Sequence, residues 1–185
     1  MNNELLIKIA KTLNNTQCTW AIGGSVLLNK YNLVDKPRDI DILINEKDAQ
    51  KIKANMNKIG KSIEVSTKKP FLTKEFFAYR VEDIDVEFLG DFGIDLGENY
   101  TYKFLLDEKY IMKIDLEGSE VKFSALEDWL VAYKAMNDPK QRVHKIENYF
   151  INNSVINKEI LARYFDTNLS PSIKIELQNV LDNIK

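Results

Sequence analysis

Two short acidic sequences are the strongest candidates for chemistry in this chain. In RDIDILI, Asp39 and Asp41 alternate with isoleucines, and in DIDVEF, Asp85 and Glu87 alternate with apolar residues in the same way. Alternate residues of a strand point to one face, so each pattern predicts two neighbouring carboxylates. Such carboxylates repel each other unless one is protonated or a cation is bound. Oxygen-rich pairs suit Mg²⁺ or Mn²⁺, and two adjacent acidic strands would form a site that clamps a polyphosphate.

A glycine-rich turn precedes the first acidic strand. The segment CTWAI is typical of a short strand, and it ends at Gly23-Gly24-Ser25, where a short helix is predicted to begin. Glycine permits a sharp turn and a close approach to a ligand, while free N–H groups and the Ser25 hydroxyl could bind phosphate oxygens. Alternatively, the glycines could be needed only for the sharp turn of the backbone, and the acidic faces of the two strands could be ordinary solvent-exposed surface.

The rest of the pattern predicts an α+β fold, with a mixed sheet and flanking helices over residues 1–123 and a C-terminal helical bundle over residues 124–185. Alternating or β-rich segments predict strands at 61–67, 75–81, 83–89, 110–116 and 119–123. Helical spacing predicts helices at 3–13 and 45–59 and several after 123, with a break at Asp138-Pro139. Ser124 and Glu127 in S-A-L-E predict a capping box at the first of these later helices.

The composition excludes several other classes of site. The 185 residues include one Cys and one His, so a disulfide framework, a zinc finger and a Cys/His-ligated zinc site are ruled out. The net charge of −2 shows no general bias toward nucleic acid or anionic membranes. The N-terminal residues lack the pattern of a signal peptide and no apolar run is long enough to span a membrane, so we expect a cytoplasmic protein without a membrane partner.

The run IGGSVLLNKYNLVDKPRDIDILI resembles the signature of the DNA-polymerase-β-like nucleotidyltransferase superfamily. That signature is a hydrophobic residue, Gly, Gly or Ser, a spacer, and then acids alternating with hydrophobic residues. Here 13 residues separate Ser25 from Asp39, and IDVEF matches the later strand that carries a third acid. The segment is most similar to small standalone bacterial members, which include antibiotic nucleotidyltransferases and toxins of the abortive-infection type. The resemblance covers roughly residues 18–150.

The resemblance implies which residues would contact the phosphates of a nucleoside triphosphate. Gly23, Gly24 and Ser25 would hold the β- and γ-phosphates. Arg38, directly before the first acidic strand, and Lys134, in a later leucine-containing helix, are further candidates for phosphate contacts. The alternatives are a salt bridge to a neighbouring acid for Arg38 and an exposed helix position for Lys134.

The resemblance also implies roles for the four acids. Asp39 and Asp41 would bind the divalent ions, Mg²⁺ or Mn²⁺. Asp85 would complete the metal site and serve as, or orient, the base for the acceptor hydroxyl. Glu87 is the alternative third acid, and we prefer Asp85 because it begins the apolar pairing of IDVEF as the family usually has it.

The implied activity is transfer of a nucleoside monophosphate from a triphosphate to a hydroxyl acceptor, with release of pyrophosphate. The acceptor would be a small molecule, a protein side chain or an RNA end, and an antitoxin or RNA is a possible partner. An aminoglycoside acceptor would need an acidic pocket, and a lincosamide would need an apolar one. The alternatives are a catalytically silent nucleotide- or partner-binding protein with the same fold and a purely structural protein that binds neither metal nor nucleotide.

Overall fold

The computed structural model describes residues 2–138 and 140–183. The predicted helix break at Pro139 and the outer ends of both predicted regions lie outside these residues. The helices are α1 (Asn3–Asn14), α2 (Gly24–Lys30), α3 (Ala49–Met56), α4 (Leu126–Ala135), α5 (Arg142–Asn153), α6 (Lys158–Ala162) and α7 (Pro171–Asn183). The strands are β1 (Trp20–Ile22), β2 (Asp39–Ile44), β3 (Lys61–Ile63), β4 (Glu75–Val81), β5 (Ile84–Gly90), β6 (Gly93–Gly97), β7 (Tyr100–Lys103), β8 (Met112–Leu116) and β9 (Ser119–Phe123). Short 3₁₀ helices occupy Glu46–Asp48, Glu108–Tyr110 and Arg163–Asp166.

A seven-stranded mixed sheet forms the centre of the fold, in the order β3-β4-β5-β2-β1-β9-β8. The β2–β5 and β1–β9 pairs are parallel, and the other neighbouring pairs are antiparallel. Four helices, α4 to α7, follow the sheet in the described C-terminal part of the chain. The predicted α+β fold with a mixed sheet, flanking helices and C-terminal helices is therefore confirmed. The hairpin of β6 and β7 was not predicted from the sequence.

Three rows of side chains cross the centre of this sheet on one face. The register of β2, β5 and β4 gives the rows Asp39–Asp85–Arg80, Asp41–Glu87–Ala78 and Leu43–Leu89–Phe76. Residues two apart on a strand share a face, and neighbouring strands lie about 4.8 Å apart. This face therefore changes from charged to apolar along the strands, and the two predicted acidic patterns lie side by side on it.

The buried core continues from the sheet into the C-terminal helices. One hydrophobic cluster includes Trp20 and Phe88 of the sheet together with Trp129 of α4 and Phe150 of α5. The predicted division between residues 123 and 124 falls in the short connection from β9 to α4, and the core crosses it. In the described residues, no helix is long and apolar enough to cross a membrane.

The predicted capping box at the start of α4 is wrong. The Ser124 hydroxyl donates to the carbonyl oxygen of Ile22 at 3.1 Å and accepts the indole N–H of Trp129 at 2.9 Å. The Glu127 carboxylate accepts the backbone N–H of Asn157 at 2.7 Å. Both side chains therefore form tertiary contacts, which hold α4 against β1 and against the segment before α6.

Candidate active site

A cavity of about 410 Å³ lies over the acid-bearing face of the sheet. Its floor carries Asp39 and Asp41 of β2 and Glu87 of β5. Its walls come from residues 66–73, from β4 and from α4, and they are rich in aromatic side chains. Cavities of this size hold drug-sized molecules, and polar groups meeting in an apolar cavity are typical of binding sites.

Burial and mutual repulsion act on the acids of the cavity floor. Burial raises the pKa of Asp41 to about 7, and the nearby charges of Asp39 and Glu87 contribute to the increase. The pKa of Glu87 is also raised, by burial and then by the charges of Asp39 and Asp85. A bound cation would relieve this repulsion, so the floor has the electrostatic character expected of a cation site.

Asp85 lies on the same face of the sheet as the other acids, but its carboxylate is bound by an arginine. Arg80 of β4 binds both of its carboxylate oxygens, with Nη2 to Oδ2 at 3.0 Å and Nε to Oδ1. Asp85 is not among the residues that line the cavity, whereas Glu87 is. The structure therefore places the alternative third acid, Glu87, with Asp39 and Asp41, because Arg80 holds the preferred one, Asp85, outside the cavity.

The glycine-rich turn is fitted directly against the acids. Gly23 donates its N–H to the carbonyl oxygen of Asp41 at 2.9 Å, and the Ser25 hydroxyl donates to Oδ1 of Asp39 at 3.3 Å. Gly24 has a φ of +54°, and a Cβ atom there would overlap a carboxylate oxygen of Asp41. A Cβ at Gly23 would overlap the ring of Trp129. The turn therefore packs directly against the first acidic strand, and its glycines leave room for the Asp41 carboxylate and the Trp129 ring.

The structure does not bring Arg38 or Lys134 into the cavity. Arg38 is exposed and, within the described part of the chain, makes no hydrogen bond or ion pair. The Lys134 side chain is only 6% exposed, and its ammonium lies 2.8 Å from Glu147 of α5 and 2.9 Å from Glu176 of α7. Lys134 therefore joins three helices away from the cavity, and its role as a phosphate contact stays a prediction from the sequence resemblance.

Basic residues that the sequence analysis did not select line the cavity instead. Lys140 and Arg142 lie close enough to the floor to lower the pKa of Asp41, in opposition to the larger effect of burial. Arg142 donates from Nη1 to the Tyr133 hydroxyl at 2.7 Å. The carboxylate of Asp138 accepts the first two backbone N–H groups of α5 at 2.6 and 2.8 Å, which fixes this segment. The segment DPKQR, with its two basic residues, is the sequence feature from which these cavity residues could have been predicted.

The donor set of the cavity floor is compatible with a divalent ion that would also need ligands from outside the protein. In the described residues, no group of three or more Asp, Glu, His or Cys side chains is close enough to hold a metal by itself. Mg²⁺ is usually bound by one or two carboxylates together with water and phosphate oxygens. The oxygen donors of Asp39 and Asp41, with Glu87 beside them, match that description.

Comparison with known proteins identifies a family and several similar folds. The family model of aminoglycoside-2''-adenylyltransferases matches residues 5–147. A nucleotidyltransferase from Thermotoga maritima is 24% identical, with a TM-score of 0.62 over 78% of this chain and 88% of that one. The enzyme ANT(2'')-Ia, solved with adenylyl-2''-tobramycin, is 10% identical, with a TM-score of 0.54 over 98% of each chain. The lincomycin-bound lincosamide adenylyltransferase LnuA is 16% identical, with a TM-score of 0.54 over 80% of this chain and 96% of that one. None of the functionally curated proteins matches.

Proposed function

The chain belongs to the aminoglycoside-2''-adenylyltransferase family, and we propose that it transfers a nucleoside monophosphate from a metal-bound triphosphate to a hydroxyl group of a small molecule. It is a nucleotidyltransferase, as the family match shows. The observation that carries the proposed reaction site is the meeting of Asp39, Asp41 and Glu87 in one cavity. We include in the proposal a cytoplasmic location, where nucleoside triphosphates are available.

Each part of the site has a separate role in binding the donor. Asp39 and Asp41 would hold Mg²⁺ or Mn²⁺, which when bound would offset phosphate charge and favour ionisation of the acceptor hydroxyl. Ser25 would bind a phosphate oxygen in exchange for its present hydrogen bond to Asp39. Lys140 and Arg142, which also line the cavity, would neutralise charge on the departing pyrophosphate.

Glu87 is the residue proposed to receive the acceptor proton. As that proton moves to Glu87, the hydroxyl oxygen forms a bond to the α-phosphorus of the donor. The bond between the α-phosphorus and the bridging oxygen breaks in line, and pyrophosphate leaves with the electron pair. Asp85 is held by Arg80 and would take no direct part.

A small-molecule acceptor is favoured by the size of the cavity, because about 410 Å³ lies in the range of drug-sized sites. ATP is the first donor to test, since the family and two of the similar structures are adenylyltransferases. Lincomycin, the ligand in one of those structures, and tobramycin, whose adenylyl derivative is in the other, provide acceptor probes that differ in the number of basic groups. An antitoxin or RNA partner stays a prediction from the sequence resemblance.

Thermal unfolding with each of ATP, GTP, CTP and UTP, in the presence of Mg²⁺ or Mn²⁺, tests this proposal. A ligand at a hundredfold excess over its Kd stabilises the folded state by about 2.7 kcal/mol, which raises the Tm by roughly 5–10 °C in a chain of this size. The shift should disappear in the double variant Asp39→Asn/Asp41→Asn. It should persist in Asp35→Asn, which removes an exposed carboxylate just before β2. No shift with any metal–nucleotide pair would contradict the proposal and favour a silent or structural protein.

A further inference from the structure

The part of the cavity beyond the acids presents an apolar surface to a ligand. Phe76 of β4 and Leu89 of β5 lie side by side in the sheet row that follows the acids. Phe71 stacks on Phe92 with 6.2 Å between ring centroids, and Met136 lies at the end of α4. These five residues are called the apolar wall. Phe71 is 39% exposed and Phe76, Leu89 and Met136 are half-buried, so the wall retains apolar area that a ligand would cover.

The outer part of the apolar wall is held in place by backbone hydrogen bonds. Phe71 donates its N–H to the carbonyl oxygen of Lys68 at 2.9 Å. Leu72 donates to Gly93 at 2.8 Å, and Asp95 donates back to Pro70 at 2.7 Å. The segment that carries Phe71 is therefore tied to β6, and the wall is formed before any ligand arrives, which reduces the entropy lost on binding.

The charges that line the cavity do not suit a polycation. Three of its four lining carboxylates, Asp39, Asp41 and Glu87, are assigned to the metal and the acceptor proton. Both oxygens of the fourth, Asp138, accept backbone N–H groups at the start of α5. The remaining charged residues of the described lining are basic, namely Lys68, Lys140 and Arg142. Because Lys140 and Arg142 are assigned to the pyrophosphate, an acceptor with many ammonium groups would find no uncommitted carboxylate and would face the remaining cation of the described lining, Lys68.

We infer that the acceptor is an uncharged or singly charged amphipathic molecule, whose apolar body packs on the apolar wall while a hydroxyl reaches Glu87. This inference rests on the proposed function and adds the substrate class. It separates this chain from the polyamine acceptors that the family description indicates. The donor would occupy the opposite end of the cavity, beside the Gly23-Gly24-Ser25 turn, so donor and acceptor would bind at the same time.

Binding of lincomycin and tobramycin, measured by calorimetry with and without the stabilising metal–nucleotide pair, tests the inference. Lincomycin has an apolar body, sugar hydroxyls and one basic nitrogen, whereas tobramycin is a polyamine. We expect lincomycin to bind at least tenfold more tightly and to bind in the presence of nucleotide. Phe71→Ser should weaken lincomycin binding by about tenfold, since it removes apolar area at the cavity. Leu72→Ser is the matched control, because Leu72 is 48% exposed on the same segment but lies outside the cavity.

A charge-reversal variant tests whether the basic lining of the cavity disfavours a polyamine acceptor. Lys68→Glu should tighten tobramycin binding by severalfold, whereas Lys69→Glu should leave it unchanged, because only Lys68 lines the cavity. Tighter binding of tobramycin than of lincomycin by the wild type, or binding of neither, would overturn the inference. Equal effects of Phe71→Ser and Leu72→Ser would also overturn it. Displacement of lincomycin by nucleotide would assign the apolar wall to the nucleobase instead.

The two proposals fail in distinguishable ways. If no nucleotide stabilises the protein, the proposed function fails, and lincomycin binding to the nucleotide-free protein still tests the chemistry of the wall. If nucleotide binds and tobramycin is the preferred ligand, nucleotidyl transfer stands and the inferred acceptor class is wrong.

Discussion

Gly24 and Asp41 are fitted to each other so closely that a side chain at position 24 would occupy the place of the Asp41 carboxylate. The glycine has a left-handed φ of +54°, and its neighbour Gly23 donates a hydrogen bond to the backbone of Asp41. The turn thus allows the half-buried Asp41 to face the cavity immediately beside the start of α2. This relationship gives the glycine of the signature a structural reason in addition to its implied contact with phosphate.

Gly24→Ala should therefore displace the Asp41 carboxylate as well as strain the backbone. A left-handed alanine costs roughly 1–2 kcal/mol, and the overlap adds to that cost. Gly97→Ala is the matched control, because Gly97 has a φ of +77° and no atom lies within 4 Å of a Cβ placed there. We expect chemical denaturation to show a larger loss of stability for Gly24→Ala, together with loss of the nucleotide-induced Tm shift. Equal losses of stability in the two variants would show that the Asp41 carboxylate moves aside at no energetic cost, and would contradict the close fit between Gly24 and Asp41.

The pKa of Asp41 predicts how the stability of the metal-free protein depends on pH. Because the pKa is about 7 in the folded state and 3.8 in the reference state, the folded protein retains a proton that the unfolded chain has lost between these values. Stability contributed by this group therefore falls as pH rises from about 4 to about 7.

Denaturation of the wild type and Asp41→Asn at several pH values measures this effect. The variant should be more stable by about 1–3 kcal/mol at pH 7.5, with the difference vanishing near pH 4. Asp35→Asn should show no such trend, because Asp35 is exposed. A difference between wild type and Asp41→Asn that is constant across this range would contradict the raised pKa.

The third acid can be identified by comparing two isosteric variants. Glu87→Gln should lower kcat by about 10²–10⁴-fold, the usual contribution of a general base. Asp85→Asn should change kcat by less than about threefold, since Asp85 is bound by Arg80 at a partly exposed site. Pyrophosphate release with lincomycin as acceptor is the measurement. The reverse order of effects would restore Asp85 as the third acid.

Lys134 should contribute to stability and not to nucleotide binding. Although burial opposes it, the carboxylates of Glu147 and Glu176 raise the pKa of Lys134. Lys134→Met would leave the partly buried Glu147 without its cation, so we expect a loss of about 2 kcal/mol and a Tm decrease of roughly 4–8 °C. Lys109→Met, which breaks an ion pair exposed by 60% on both sides, should cost much less stability than Lys134→Met. A reduced nucleotide-induced shift in Lys134→Met would contradict this assignment.

The sequence predicted the elements whose patterns are local. Strands β4 and β9 have the predicted bounds, and the alternation in both acidic segments correctly assigns Asp39 and Asp41, and Asp85 and Glu87, to shared faces. The hairpin of β6 and β7 was missed because GIDLG and YTYK are short and their alternation is weak.

The sequence alone did not predict the features that depend on contacts between residues far apart in the chain. The choice between Asp85 and Glu87 depends on the β4–β5 register, which places Arg80 opposite Asp85. The position of Lys134 depends on how α5 and α7 pack against α4. Likewise, Ser124 has the residue type and spacing expected of a helix N-cap, but its hydroxyl forms hydrogen bonds with β1 and with Trp129 instead.

The most direct test of the central claim is the affinity of Mn²⁺ for the protein in the presence of ATP, measured by electron paramagnetic resonance of free Mn²⁺. The wild type should take up Mn²⁺ beyond the amount that ATP binds alone, since Asp39 and Asp41 supply carboxylate ligands. Asp39→Asn/Asp41→Asn should lose this uptake, and Asp35→Asn should retain it. Uptake by the double variant equal to that of the wild type would show that the metal–nucleotide complex does not bind at these acids, and would contradict the proposed active site.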